Sequence, residues 1–172
     1  NHNKENLATE ICNMVRDLRV DAVGICEVFN LKDDNRERWQ AIMQHVVSQL
    51  NSSAAQPATS ADSSSARPAW MGQSDGHYIF VWNSRRLSLV KYAYVSCGVG
   101  EQPWRMAQYL QFQCADSHYI CGGQPLHVCH NHSPSSRNGQ LTNQRRKQLF
   151  QTLWAYVMQH NGSGSQPAAV FG

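Results

Sequence analysis

The sequence predicts an α/β fold of the α+β kind, in which helices flank a mixed and mostly antiparallel sheet. Three stretches carry apolar residues at helical spacing, and several strand-like runs lie between the second stretch and the third. Because these runs follow one another across short turns, they are expected to pair mainly antiparallel. The order of elements therefore indicates part of a layered α/β sandwich, without internal repeats.

The predicted helices are residues 4–19, a second stretch that begins near Asp34 or Asn35, and residues 140–160. Either polar residue can cap the second helix, and the Gly-Ser-Gly-Ser run at 162–165 ends the third. Each helix has one apolar stripe that faces a core. The stripes comprise Leu7, Ile11, Met14, Val15 and Leu18; Trp39, Ile42, Met43, Val46, Val47 and Leu50; and Leu141, Leu149, Phe150, Leu153, Trp154 and Val157.

Two of the predicted strands end on side chains suited to chemistry. Residues 21–27 end on the carboxylate of Glu27, and residues 126–132 end on His132. Alternation along the second strand places His130 on the same face as His132. Ligands in α/β sheets gather beyond strand ends, so we expect one site to hold Glu27 and His132. The remaining predicted strands are residues 77–83, 88–95, 106–114 and 168–171.

Residues 51–69 differ in composition from the rest of the chain. They are rich in Ser, Ala and Pro, with almost no large apolar side chain. Such a segment cannot bury enough surface to offset the entropy of ordering it. The sequence therefore predicts a disordered insertion within one domain that covers residues 1–172.

Composition restricts the class of protein. With 172 residues and 41% hydrophobic content the chain can form a core, and no run approaches the ~20 apolar residues of a membrane-spanning helix. A net charge of +3 suits a polyanionic substrate, but it is much weaker than that of a dedicated nucleic-acid-binding arm. No obligate protein partner is evident from these features.

The cysteines lack the short, regular spacing of a disulfide scaffold. Reduced, buried thiols are therefore expected, which favours a reducing intracellular compartment. Secretion stays open, because a fragment without its true start would also lack a signal peptide. The six cysteines are Cys12, Cys26, Cys97, Cys114, Cys121 and Cys129.

A zinc-binding domain is one alternative, because Cys and His residues are frequent between residues 114 and 132. The spacing of the cysteines does not fit the Cys-x₂₋₄-Cys pattern of structural zinc sites. A non-catalytic interaction module is another alternative. The candidate zinc ligands are Cys114, His118, Cys121, His127, Cys129, His130 and His132.

Four motifs in order resemble the endonuclease/exonuclease/phosphatase superfamily, in its deoxyribonuclease-I-like form. Residues 21–28 read Asp-Ala-Val-Gly-Ile-Cys-Glu-Val, and residues 128–135 read Val-Cys-His-Asn-His-Ser-Pro-Ser. Between them, residues 78–83 and 87–90 are similar to the family's central hairpin. Residues 104–107 are similar to its phosphate-contacting arginine before a strand. The resemblance covers nearly the whole chain and implies a four-layer α/β sandwich.

The resemblance further implies a phosphoester hydrolase in which metal-activated water attacks the phosphorus. Glu27 would be a ligand of Mg²⁺ or Mn²⁺, because a carboxylate is the hard oxygen donor that Mg²⁺ prefers. His132 and Arg105 would be catalytic and would contact phosphate oxygens. His130 and Asn131 would hold these residues in position without contacting the substrate.

The resemblance also implies that the chain is the N-terminal part of an incomplete domain, and that the isolated fragment is inactive. In this family the strand predicted at 168–171 runs into a Gly-Asp-x-Asn motif, and an early metal-binding asparagine is matched only weakly by Asn1 or Asn3. The Asn-His-Ser-Pro sequence at 131–134 favours the histidine-bearing branches. These branches include nucleases, deadenylases, sphingomyelinases and inositol-phosphate phosphatases, so nucleic acid is one candidate substrate.

Overall fold

The computed structural model describes residues 2–26, 36–54, 69–74, 78–97, 105–115, 124–131, 139–161 and 167–171. The chain divides into two compact units, Asn1–Leu87 and Ser88–Gly172. The predicted mixture of helices with mainly antiparallel strands is confirmed. In the described residues, no helix is long and apolar enough to cross a bilayer. The elements are α1 (His2–Leu18), β1 (Ala22–Cys26), α2 (Arg36–Ala54), β2 (Trp70–Ser74), β3 (Tyr78–Asn83), β4 (Leu87–Cys97), β5 (Arg105–Cys114), β6 (Leu126–His130), α3 (Gly139–His160) and β7 (Ala168–Phe171).

The first unit packs two helices against a three-stranded antiparallel sheet with the order β1–β3–β2. Ile79 and Val81 alternate along the central strand and are fully buried in one core with both helices. Val15 of α1 and Trp39 and Val46 of α2 belong to the same core. Burial of each such side chain contributes about 1.5–3 kcal/mol, so this core stabilises the position of β1.

Helix α1 ends at a residue in the left-handed conformation. Arg19 has a φ of 52°, and its N–H donates to the carbonyl of Arg16 at 3.3 Å. The N–H of Val20 donates to the carbonyl of Val15, also at 3.3 Å. This pair of bonds is the Schellman arrangement, in which glycine usually occupies the position of Arg19. Leu18, predicted to lie in the buried stripe, is 65% exposed in the last turn before this ending.

Helix α2 continues through Ala54, into the segment predicted to be a disordered insertion. The Nδ2 of Asn51 donates to the carbonyl of Trp70 at 3.0 Å, and the N–H of Trp70 donates to Oδ1 of Asn51 at 2.8 Å. Ala69, at the other end of the segment, is buried. The two bonds join α2 to β2, a strand that the sequence did not predict. Disorder in residues 55–68 stays a prediction, because they lie outside the described residues.

Strand β2 approaches α2 closely at Gly72. A Cβ atom at this position would lie 2.5 Å from Sδ of Met43 and 3.1 Å from Cγ2 of Val47. A larger residue here would force the side chain of Met43 to move, so glycine suits the close approach of the helix.

Strands β3 and β4 belong to different sheets, which corrects the predicted central hairpin. Both edges of β3 are paired, with Val81 opposite Val23 of β1 and opposite Gly72 of β2. A turn follows, in which the N–H of Arg86 donates to the carbonyl of Asn83 at 3.0 Å. Because β3 has no unpaired edge, β4 begins the second sheet.

The second unit contains a four-stranded sheet with the order β4–β5–β6–β7. Strands β5 and β6 are antiparallel, with Tyr109 opposite Cys129, whereas β6 and β7 are parallel, with Cys129 opposite Phe171. A parallel pair needs a crossover connection, which α3 provides. The helix contributes three buried side chains to the core on the Tyr109 face: Leu149, Leu153 and Val157.

Two expectations are wrong in the second unit. Phe150 and Trp154, predicted in the buried stripe of α3, are 51% and 39% exposed. Side chains four positions apart fill the contact with the sheet, so their next neighbours lie on the flank of the helix.

Cys114 is disulfide-bonded, so the expectation of reduced thiols is wrong for that residue. Among the described residues, Cys12, Cys26 and Cys129 are not disulfide-bonded.

Candidate functional site

Strand β6 ends at His130, which is followed by Asn131 and then by His132. His130 is 6% exposed and lies opposite Gln108 of β5. Its Nδ1 is 3.1 Å from Oε1 of Gln108. A carbonyl oxygen can only accept, so Nδ1 carries a proton and donates it to Gln108. His130 is therefore a buried histidine whose ring is held in one orientation.

Gln108 is fully buried, and β4 holds it from the other side. Its Nε2 donates to the hydroxyl of Tyr92 at 3.3 Å, and that hydroxyl donates to the hydroxyl of Tyr94 at 2.6 Å. The three bonds run in one direction, from His130 to Tyr94, which is 41% exposed. We call these four residues the polar chain. Such a network orients each of its members and so fixes the histidine ring.

Asn131 carries an unpartnered polar atom. Its Oδ1 is buried and has no hydrogen-bond partner among the residues that the structure describes. A buried acceptor without a partner costs about 1–3 kcal/mol, so an atom of this kind marks a place where a water, an ion or a ligand group binds. An amide oxygen suits the coordination sphere of Mg²⁺, directly or through a water. The amide oxygen of Asn131 is therefore a suitable ligand, direct or through a water, for the divalent ion that the sequence resemblance implies.

The zinc alternative loses support from the structure. In the described parts of the chain, no group of three His, Cys, Asp or Glu side chains is placed to hold a metal. The sulfur of Cys114 is in a disulfide. Both ring nitrogens of His127 are engaged, with Nδ1 2.8 Å from the hydroxyl of Tyr109 and Nε2 3.2 Å from Oδ1 of Asn161. Neither Cys114 nor His127 is available as a ligand.

His127 belongs to a second buried polar cluster, on the face that packs against α3. Nε2 donates to Oδ1 of Asn161, so Nδ1 accepts the proton of the Tyr109 hydroxyl. The rings of Tyr156 and His160 lie beside Tyr109, with centroids 4.8 Å and 5.7 Å away. Burial lowers the pKa of His127 from its ordinary value of 6.5, against the opposing effect of the bond to Asn161. Burial also raises the pKa of Tyr109.

The structure places the predicted site residues only in part. Arg105 is the first residue of β5, and its side chain lies outside the description. Glu27 follows β1 directly and His132 follows Asn131, and both lie outside the described residues. Their predicted proximity to each other stays a prediction. His130 and Asn131 are described: His130 is the last residue of β6, and Asn131 follows it directly.

Gln108 and Tyr92 were not identified from the sequence. Gln108 alternates with Leu110 and Phe112 on one face of β5, and both of these are fully buried. A glutamine on such an apolar face is a signal of a buried amide with hydrogen-bond partners. The contact with Tyr92 depends on how β4 aligns with β5, which alternation within one strand does not determine.

Solved structures resemble the chain, although no protein-family model and no curated protein matches it. Humanized TDP2 of D. rerio superposes with a TM-score of 0.52 at 13% identity, over 99% of this chain and 54% of that one. TDP2 of C. elegans gives a TM-score of 0.54 at 11% identity, over 93% and 40% of the two chains. D. rerio TDP2 complexed with a single strand DNA product gives 0.50 at 13% identity, over 95% and 50%.

The matched structures have the endonuclease/exonuclease/phosphatase fold. The chain spans about half of their length or less. At this level of identity the likeness establishes the fold alone. The chain therefore has a deoxyribonuclease-I-like fold over the part of these structures that it covers, which is the fold that its motifs predict.

Proposed function

We propose that the chain belongs to a divalent-metal-dependent phosphoester hydrolase, a phosphodiesterase, nuclease or phosphatase. One observation carries the proposal: in a deoxyribonuclease-I-like fold, strand β6 is followed by the sequence Asn-His-Ser-Pro at residues 131–134. A side chain just beyond a strand end lies where ligands gather in α/β sheets. A histidine there suits proton transfer, because its ordinary pKa is close to neutrality.

Each proposed site residue has a distinct role. Glu27 would hold Mg²⁺ or Mn²⁺, and the unpartnered Oδ1 of Asn131 would accept a bond from a water of its coordination shell. When bound, the ion supplies charge neutralisation and activation of a water. His132 donates to a phosphate oxygen, and the planar guanidinium of Arg105 offers a paired set of donors to the same group. His130, fixed by the polar chain, supports the strand end that carries His132.

Nucleic acid is the substrate class that we favour. One matched structure, TDP2 of D. rerio, is complexed with a single strand DNA product. The net charge of +3 is compatible with a polyanion. Phospholipids and inositol phosphates, which other histidine-bearing branches of the superfamily hydrolyse, are the competing substrates to assay.

The proposal is tested in the full-length protein that contains this chain. His132→Ala should lower kcat by ~10²-fold or more with a smaller change in KM, because a donor to developing phosphate charge acts mainly in the transition state. His130→Ala should lower Tm while the folded fraction stays active, because His130 is buried and bonded to Gln108. His45→Ala, on the exposed face of α2, is the matched control and should change neither quantity.

Glu27→Gln should lower Mg²⁺-dependent turnover and raise the Mg²⁺ concentration that turnover requires, because an amide is a poorer ligand than a carboxylate. If His132→Ala keeps the wild-type kcat, the histidine has no catalytic role. If the wild-type protein itself shows no Mg²⁺-dependent turnover, the non-catalytic interaction module on the same fold becomes the better interpretation.

A further inference from the structure

The exposed side of α3 and the adjoining strand β7 carry a cluster of three rings, Phe150, Trp154 and Phe171, which we call the aromatic surface. The rings of Phe150 and Trp154 are nearly parallel, with an angle of 6° between their planes and centroids 6.4 Å apart. The half-buried Phe171 contacts both, with centroids 4.9 Å and 6.1 Å away. Because Phe171 also packs against the core, it holds the two exposed rings in place.

The aromatic surface is not explained by packing within the second unit. Phe150 is 51% exposed, Trp154 is 39% exposed, and Met158 in the next turn is 49% exposed. Soluble proteins tolerate single exposed apolar residues, but a contiguous patch of rings usually marks an interaction site. The parallel planes of Phe150 and Trp154 accept a flat ligand ring in one common orientation.

The same side of α3 is basic. Arg146 lies one turn before Phe150, and Lys147 is its neighbour; both are exposed. The sequence contains no Asp or Glu after Asp116, so β6, α3 and β7 have no carboxylate side chain. The other polar residues exposed on α3 are amides: Asn143, Gln144, Gln151 and Gln159. A surface of rings, cations and amides without carboxylates is typical of single-strand nucleic-acid binding.

The net positive charge of the chain comes from the second unit. Residues 88–172 contain six cationic side chains and two carboxylates, whereas the first unit has more carboxylates than cations. The ligand of the aromatic surface is therefore expected to be an anion with flat, apolar rings. The cations are Lys91, Arg105, Arg137, Arg145, Arg146 and Lys147, and the carboxylates are Glu101 and Asp116.

We propose that the aromatic surface binds single-stranded nucleic acid, with bases stacked on Phe150 and Trp154 and phosphates bound by Arg146 and Lys147. An unpaired strand exposes the faces of its bases, and stacking tolerates any base because each has a π face. A duplex hides these faces and offers the surface only its phosphates. The proposal requires neither Glu27 nor the proposed hydrolysis, so it is tested without a divalent ion.

The test is fluorescence anisotropy of a labelled oligothymidylate, in EDTA at low salt. A length of about 15 nucleotides lies within the site sizes of ~4–16 nucleotides seen for single-strand-binding modules. Trp154→Ala should weaken binding about tenfold, the loss expected when one base loses its stacking partner. Trp154→Phe should retain most of the affinity, because it keeps a ring. Lys147→Gln should reduce the slope of log affinity against log salt by about 0.7, the value for one phosphate contact on a single strand.

Leu18→Ala is the matched control, an exposed apolar truncation on α1, and it should leave binding unchanged. Circular dichroism checks that the Trp154 variants are folded, which we expect because the buried side chains of α3 are intact. The proposal is overturned if the oligonucleotide does not bind, if Trp154→Ala binds it as well as wild type does, or if a duplex of equal length binds equally. It is also overturned if Trp154→Ala only dissociates a dimer, because the rings would then be a contact between two copies.

Discussion

At the scale of single residues, the two buried histidines of β6 are each held in one orientation by side-chain hydrogen bonds. His127 donates to Asn161 and accepts from Tyr109, whereas His130 donates to Gln108 on the opposite face of the sheet. The alternation of the sequence predicts these two faces correctly. It cannot identify the partners, because they lie on β5 and beyond the end of α3.

The free energy of unfolding should fall as the pH falls below about 6.5, because of His127. The unfolded chain binds a proton near that ordinary pKa, whereas burial lowers the pKa in the folded state. The contribution of this neutral histidine is therefore complete above 6.5 and is lost as the pH falls towards the folded-state pKa. One proton gives a slope of at most about 1.4 kcal/mol per pH unit, which urea unfolding at several pH values measures.

His127→Gln should flatten this dependence, because it removes the titrating group and keeps an amide beside Tyr109 and Asn161. His45→Gln, at an exposed position on α2, is the control and should leave the slope as in the wild type. An unchanged slope in His127→Gln would assign the pH dependence to other groups.

At the scale of elements, the helices were predicted better than the strand pairing. The third helix, expected at 140–160, is Gly139–His160, because periodicity and the Gly-Ser run define it locally. Strand β2 was missed, since Gly72 interrupts its alternation and suits the close approach of α2 there. The sheet change between β3 and β4 was also missed, because it depends on both edges of β3 being paired by distant strands.

Asn51→Ala should destabilise the first unit by about 1–3 kcal/mol, because it leaves the backbone N–H and carbonyl of Trp70 without their partner. Ser52→Ala, which removes only a bond to the carbonyl of Ser48 on the exposed side of the same helix, should stay within about 0.5 kcal/mol of wild type. Chemical denaturation of both variants measures the difference. Equal stability of the two would mean that solvent satisfies Trp70 as well as Asn51 does.

At the scale of the whole molecule, the motifs predicted the fold. The structure adds the hydrogen bonds that hold the end of β6, next to the proposed site. The polar chain and the unpartnered oxygen of Asn131 were not predicted in this form, because each depends on tertiary packing. Glu27 and His132 remain predictions from the motifs alone. The disulfide at Cys114 was missed because the cysteine spacing has no regular pattern. The compartment in which the protein acts stays a proposal.

The isolated 172-residue chain should show no phosphodiesterase turnover with Mg²⁺ and no saturable heat of Mg²⁺ binding. Glu27 is the one carboxylate that we assign to the ion, and Mg²⁺ held by a single carboxylate without substrate phosphate is bound weakly. Assays against DNA, RNA and a chromogenic diester, with calorimetry, measure both quantities. Turnover that Glu27→Ala abolishes would show instead that this chain is sufficient for catalysis.

Strand β7 can join its sheet only after α3 has formed the crossover between β6 and β7, because parallel strands cannot be connected by a tight turn. Leu126 of β6 faces Ala168 of β7, so the chain must close a long loop before this pair forms. Strands β5 and β6 need a much shorter closure to reach their register, in which Phe112 faces Leu126. Folding of the second unit should therefore begin at β5 and β6 and finish at β7. The strand that carries Phe171 of the aromatic surface is then the last to dock and the first to open.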